Sequence, residues 1–304
     1  MSDWRDELIK WAEKYEIPEN AIPRNKQRIS EMDALYLHPS QFIELPDAIA
    51  QMVNLKELSL HSHKLTELPE FIGRLENLNS LWVICSELKK IPESIGNLKN
   101  LKTLWLHGSK FEELPEFIDN FKNLNTLWLS GSRFEELPES IGNLKNLNTL
   151  WLSGCKFNKL PESIGNLTGL TSLDLDNNEL SELPESFCNL SNLNRLILQK
   201  NKLTLLPETI GNLSSLEWLN LGNNQLIKLP ESFGNLSNLK KLTLQYNRLT
   251  ALPCSFGNLT NLEKLNLRGN KFSKIPEVIG SLTNIIDLDK QTTEKFLQQY
   301  IDIQ

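Results

Sequence analysis

Residues 170–190 read Leu170-Thr171-Ser172-Leu173-Asp174-Leu175-Asp176-Asn177-Asn178-Glu179-Leu180-Ser181-Glu182-Leu183-Pro184-Glu185-Ser186-Phe187-Cys188-Asn189-Leu190. Leu173 and Leu175 alternate with polar residues, the period of a strand with one buried face. Leu180, Leu183, Phe187 and Leu190 are spaced to fill an interior on the return path. Pro184 ends the strand pattern, because it has no backbone N–H to give to a ladder. The same string recurs along the chain. Proline stands at positions 23, 46, 69, 92, 115, 138, 161, 184, 207, 230, 253 and 276, each interval being 23 residues, and these are twelve of the 14 prolines. A fixed period of this length marks a solenoid, in which each unit buries its apolar side only against its neighbours. Adjacent copies stack as parallel strands about 4.8 Å apart.

The string resembles the 23-residue form of the leucine-rich repeat, with its Leu-Pro-x-x-Ile/Phe-Gly-Asn-Leu tail. That form is shared by bacterial repeat proteins and by intracellular repeat proteins of the Ras-linked group. The resemblance covers roughly residues 22–290. It implies an α/β right-handed horseshoe with a single parallel concave sheet of about 11 strands and short 3-10 or irregular turns on the convex side. It also implies that the slot of Asn178 lies inside the turn, where the amide satisfies backbone groups of adjacent copies. Asn fills that slot at 178, 201, 224, 247 and 270. By the same count the earlier copies carry Ser40, His63, Ser86, Ser109, Ser132 and Cys155, smaller or different groups that predict altered turns. Glycine marks a tight turn in eight copies, while Asp119 and Cys188 replace it in two.

Open solenoid ends need covers. Trp4, Leu8, Trp11 and Tyr15 lie at helical spacing, so residues 1–21 are assigned to an N-terminal capping helix. Phe296, Leu297, Tyr300 and Ile301 form a similar stripe, and residues 291–304 are assigned to a C-terminal capping helix. Residues 22–290 form the repeat solenoid between them. A partner-binding or membrane-surface helix is the alternative at either end.

The residue between the two strand leucines points away from the interior. In order it is Tyr36, Ser59, Trp82, Trp105, Trp128, Trp151, Asp174, Ile197, Asn220, Thr243 and Asn266. Four consecutive copies carry Trp, out of seven in the chain. Each Trp can bury about 150–250 Å², and their neighbours are small and uncharged: Ser80, Thr103, Thr126, Ser130, Thr149 and Ser153. Aromatic anchors in a charge-poor field are the composition of an interface hot spot. The expected function is therefore non-enzymatic binding of another protein through Trp82, Trp105, Trp128 and Trp151. Tyr36, His61, His107, Trp218 and Tyr246 are secondary candidates. Three alternatives stand beside it: a glycan or small ligand stacked on the rings, self-association into a homo-oligomer through the same stripe, and recent duplication that copied a Trp with no present role. The second half of the face carries Asp174, Asp176, Arg195, Lys200, Lys240, Lys241, Gln245, Lys264 and Arg268, which reads as a solvated surface of mixed charge.

Other classes lack support. With 32 basic and 38 acidic residues the net charge is −6, against nucleic-acid binding. No apolar run reaches the roughly 18 residues of a membrane span. Cys85, Cys155, Cys188 and Cys254 show no close pairing, so they read as reduced thiols. With no signal segment, the expected location is the cytoplasm, export by a non-classical route staying open. The chain lacks phosphate-loop, nucleophile-elbow, zinc-helix and dinucleotide motifs, and the caps leave no stretch for a catalytic domain. No cofactor or metal is expected: His38, His61 and His107 approach one column, but Ile84 interrupts it. Asn-Leu-Ser/Thr strings at Asn166, Asn189, Asn212, Asn235 and Asn258 are products of the repeat rather than glycosylation sites.

Overall fold

The computed structural model describes residues 3–108, 110, 112–274, 276–283, 287, 288, 292 and 294. The chain divides into two compact units, Met1–Phe134 and Glu135–Gln304.

In the first unit, helix α1 (Trp4–Lys14) begins at Asp3, whose carboxylate accepts the Arg5 backbone N–H at 3.0 Å. That carboxylate also pairs with the Arg5 and Lys26 side chains, which hold its pKa far below the usual carboxylate range. Leu8, Trp11 and Ala12 are buried. Trp11 packs on Phe42 with ring centroids 5.6 Å apart, and its indole N–H donates to the Glu44 carbonyl at 3.2 Å. The expected N-terminal cap is thus present and covers the first repeat. A second short helix, α2 (Lys26–Glu31), follows, which the repeat spacing does not announce. Five parallel strands come next in chain order: β1 (Ala34–Ser40), β2 (Glu57–Ser62), β3 (Ser80–Ile84), β4 (Thr103–His107) and β5 (Thr126–Trp128).

The second unit has seven: β6 (Thr149–Trp151), β7 (Ser172–Asp174), β8 (Arg195–Ile197), β9 (Trp218–Asn220), β10 (Lys241–Thr243), β11 (Lys264–Asn266) and β12 (Asp287–Leu288). They are also parallel and paired in order. The expected C-terminal capping helix lies outside the described residues.

Each repeat proline from Pro46 to Pro276 precedes a single turn of 3-10 helix, such as Glu162–Asn166, and the strand and return-path leucines are buried. Glycine in these turns is required by the stacking distance. A Cβ on Gly165 would stand 2.2 Å from the Ser186 carbonyl oxygen of the next copy. After Cys188 replaces glycine the following turn is shortened to Ile210–Asn212, whereas after Asp119 it keeps its five residues, Glu139–Asn143.

The Asn ladder has the geometry that the resemblance implies. Asn224 donates to the carbonyls of Leu198, one repeat earlier, at 2.9 Å and Leu221 at 3.1 Å, and accepts the Leu203 N–H at 3.1 Å. Asn178, Asn201, Asn247 and Asn270 repeat the pattern. The early slot assignment needs correction. Ser62 and Cys85 are buried where His63 and Ser86 were expected, and His63 and Ser86 are exposed. Ser62 Oγ donates to the Phe42 carbonyl at 2.7 Å. The cause is backbone conformation. From Gly108 onward, residues 108, 131, 154, 177, 200, 223, 246 and 269 are all left-handed, with φ between 53° and 75°, and the chain turns there. Ser62 and Cys85 hold the equivalent position and are not left-handed, and there the buried slot moves back by one residue.

Replacing Asn224 with Ala strands the Leu203 N–H, while the Leu198 and Leu221 carbonyls each lose one of two Asn donors and keep the other, from Asn201 and Asn247. At about 1–3 kcal/mol for an unsatisfied buried group, we expect a loss of about 1–3 kcal/mol, read as a lower urea midpoint by circular dichroism. The Ser132 hydroxyl is buried without a hydrogen-bond partner. Ser132→Ala should therefore leave the midpoint within about 0.5 kcal/mol of wild type.

Candidate interaction surface

The first unit brings its candidate aromatics together in two contacts. Strand register aligns Tyr36, Ser59, Trp82, Trp105 and Trp128. Tyr36 and Trp82 meet across the small, buried Ser59 with ring centroids 6.4 Å apart. Trp105 and Trp128 lie face to face, centroids 3.8 Å apart and planes 6° from parallel. All three indoles are half-buried, while Tyr36 is 46% exposed and hydrogen-bonds Glu57 through its hydroxyl. Stacking turns one face of Trp105 and one of Trp128 toward each other, and the indole nitrogen of each is buried. The flanking residues Ser80, Thr103 and Thr126 are uncharged and half-buried.

At the start of the sheet, imidazoles join the aromatics. His38 stacks on Tyr36 (6.4 Å), His61 meets His38 edge-on (5.9 Å), and His63 meets His61 (5.3 Å). Burial, and then the neighbouring His61, hold His38 below the ordinary imidazole pKa. A cavity of about 520 Å³ opens beside Tyr36 and His38, under the turn at Pro18–Pro23. His107 is exposed at the end of β4, and the register places Ile84 between it and His61. Among the described residues, no group of three or more His, Cys, Asp or Glu side chains is arranged to hold a metal ion. None forms a helix long and apolar enough to cross a membrane.

In the second unit, Trp151 is half-buried and its indole N–H reaches Ser172 Oγ at 3.5 Å. Trp218 lies in a different column from the Trp stripe. It aligns with Arg195 and Lys241, and the Arg195 guanidinium carbon sits 3.6 Å from its ring centroid. Tyr246 is 45% exposed in the left-handed conformation, with Arg268 5.8 Å from its ring. Sequence pattern finds the Trp column because one slot repeats one residue type. It does not find the Arg195–Trp218–Lys241 cluster, because those three share a column without sharing chemistry.

The leucine-rich repeat region family matches residues 43–128, 146–225 and 208–301, and the single leucine-rich repeat matches residues 123–144. The chain is a leucine-rich repeat protein. Among solved structures, this repeat protein is similar to a leucine-rich repeat protein of Leptospira interrogans, at 29% identity, 88% of this chain, 87% of that one and TM-score 0.53. It is similar to a TDR receptor at 32% identity, 85% and 47% coverage, and TM-score 0.76. A plant peptide hormone receptor, RGFR1 in complex with RGF2, is 34% identical over 82% of this chain and 42% of its own, with TM-score 0.69. The chain thus spans less than half of each receptor. No curated protein sequence gives a significant match.

Two solution properties follow. The His38 resonance should titrate below the ordinary imidazole value of about 6.5 in an NMR pH series, and His61→Gln should raise it without restoring it fully, burial being the larger cause. Because the folded state then binds fewer protons than the unfolded one, stability should fall as pH drops below about 6.5. Among the cysteines, Cys254 is exposed, while Cys85, Cys155 and Cys188 are buried, and burial pushes the Cys85 thiol up to about 11. A thiol reagent at pH 8 should label Cys254 rapidly and Cys85 only on unfolding.

Proposed function

We propose that this leucine-rich repeat protein is a non-enzymatic scaffold. It binds another protein through its exposed strand face, with Trp82, Trp105 and Trp128 in the first unit and Trp151 in the second as anchors. The observation that carries the reading is the half-exposed Trp105–Trp128 stack with the Tyr36–Trp82 contact beside it, set among uncharged Ser and Thr side chains. Rigid, pre-stacked rings lose little entropy on binding, and the carbon surface that each indole still exposes can be buried by a partner. The same stack argues against a sugar platform. A pyranose needs an open ring face, and Trp105 and Trp128 cover one of each other's. Secondary contacts fall to Tyr36, His61 and His107 in the first unit and to Trp218 and Tyr246 in the second. That the plant receptor RGFR1 is seen with RGF2 fits a fold whose surface takes polypeptide ligands. The working compartment is the cytosol, in keeping with four cysteines spread through the stack rather than paired.

The test uses wild type and a variant with Trp82, Trp105, Trp128 and Trp151 changed to Ser, both first shown to be folded by circular dichroism. Each serves as bait in source-cell lysate, and every captured protein is purified and titrated against both. We expect a partner that binds wild type at least tenfold more tightly than the variant. Equal affinity for the two would remove the Trp residues as anchors. Molar mass by light scattering separates the alternative of self-association, which predicts a wild-type dimer and a variant monomer.

A further inference from the structure

The second unit carries a built array of hydrogen-bond donors that the Trp reading does not use. Its orientation is fixed by backbone. The Gly222 N–H donates to Asn220 Oδ1 at 3.1 Å, which sets that amide with its nitrogen pointing back one repeat. Asn220 Nδ2 then donates to Gln199 Oε1 at 2.9 Å. With its oxygen so engaged, Gln199 turns its –NH2 outward, and the structure gives that nitrogen no partner among the described residues. Two repeats later the relay recurs. The Arg268 N–H donates to Asn266 Oδ1 at 3.1 Å, and Asn266 Nδ2 donates to Gln245 Oε1 at 2.8 Å, leaving the Gln245 –NH2 outward. In both relays the backbone donor forbids the flipped amide.

Cations border this array. Arg195 lies flat on Trp218 at 3.6 Å, and the Lys241 ammonium stands 5.5 Å from the same ring. Neither forms an ion pair among the described residues. A guanidinium stacked on an indole still presents its N–H edge for bidentate bonds to a carboxylate. Lys264 continues the column after Lys241. A cavity of about 280 Å³ lies over β10 and β11, bounded by Trp218, Lys241, Thr243, Lys264 and Asn266. Of the neighbouring carboxylates, Glu217 pairs with Lys240 at 2.9 Å and Asp174 accepts the Asp176 N–H at 2.9 Å, while Asp176 Oδ1 is buried away from solvent.

We propose that this face of the second unit binds an extended acidic peptide segment. Its carboxylates would be taken by Arg195 and Lys241, its carbonyls by the Gln199 and Gln245 amides, and an apolar side chain by Trp218. The donors span β8 to β11, about 14 Å at strand spacing, too far for one phosphate or sulfate ion. The net charge of −6 opposes a long nucleic-acid polyanion. A short peptide with several acceptors meets both limits. The site shares Trp218 with the secondary contacts proposed above but uses none of Trp82, Trp105, Trp128 and Trp151, and it stands or falls without those four.

The experiment is calorimetric titration of the full chain with hexaglutamate, using hexaserine, sodium phosphate and a hexathymidylate oligonucleotide as comparison ligands. We expect saturable hexaglutamate binding that weakens with salt and a hexaserine signal at background. Lys241→Glu should weaken it at least tenfold. Gln245→Glu, which keeps the acceptor for Asn266 and only reverses the outward group, should weaken it several-fold even if Lys241→Glu does not fold. Trp82→Ser should leave it unchanged, so failure of the Trp reading is told apart from failure of this one. Three results overturn the proposal: hexaglutamate binding no tighter than hexaserine, both charge variants binding like wild type, or tighter binding of phosphate or the oligonucleotide than of hexaglutamate.

Discussion

The structure depends on how the backbone is satisfied where each strand ends. A parallel strand of three residues leaves carbonyls and N–H groups facing the interior as soon as the chain bends. Water does not reach them, so a side chain must. Asn is the shortest residue that carries a two-proton donor and a separate acceptor, and one Asn closes three bonds spanning two repeats. Its neighbour in sequence must be left-handed to aim it inward. Glycine and asparagine enter that conformation cheaply, yet Lys200 and Tyr246 are held in it as well. The stack therefore imposes the conformation and offsets the strain, rather than the residue choosing it.

Strand length, and with it the surface, follows from that constraint. Where the left-handed turn is absent, at Ser62 and Cys85, β2 and β3 run longer and place His61 and Ile84 on the face. From β5 to β11, where it is present, strands of three residues leave two outward columns. In the first unit the inner column carries Trp82, Trp105 and Trp128, and the outer one beside them carries Ser80, Thr103 and Thr126. In the second the inner column becomes Asn220, Thr243 and Asn266, and the outer becomes Arg195, Trp218, Lys241 and Lys264. Both units share a backbone and differ in what a partner would meet: flat apolar edges in one, oriented donors in the other.

Column membership was legible because the period of 23 is free of insertions between Pro23 and Pro276. The alignment of Trp82, Trp105 and Trp128 follows from it directly. The pairing inside the column did not follow. Equal spacing suggests a uniform stripe, whereas Tyr36 reaches Trp82 across Ser59 and Trp105 stacks on Trp128. Ring rotation about the side-chain bonds decides this, and spacing holds no information on it. The same limit hid the relays from Asn220 to Gln199 and from Asn266 to Gln245, since an amide's direction is set by a backbone donor that only the folded turn supplies.

The sequence by itself determined the repeat, its strand and turn positions, the N-terminal cap and the residues of each column, because periodic burial of leucine admits one way of stacking. Tertiary structure alone decided which buried slot Ser62 and Cys85 fill, which faces the indoles keep, and that Trp218 sits between Arg195 and Lys241. Those outcomes depend on the sign of φ at one residue per turn and on rotamers chosen against neighbours 23 residues away, and neither is encoded in the order of apolar and polar residues.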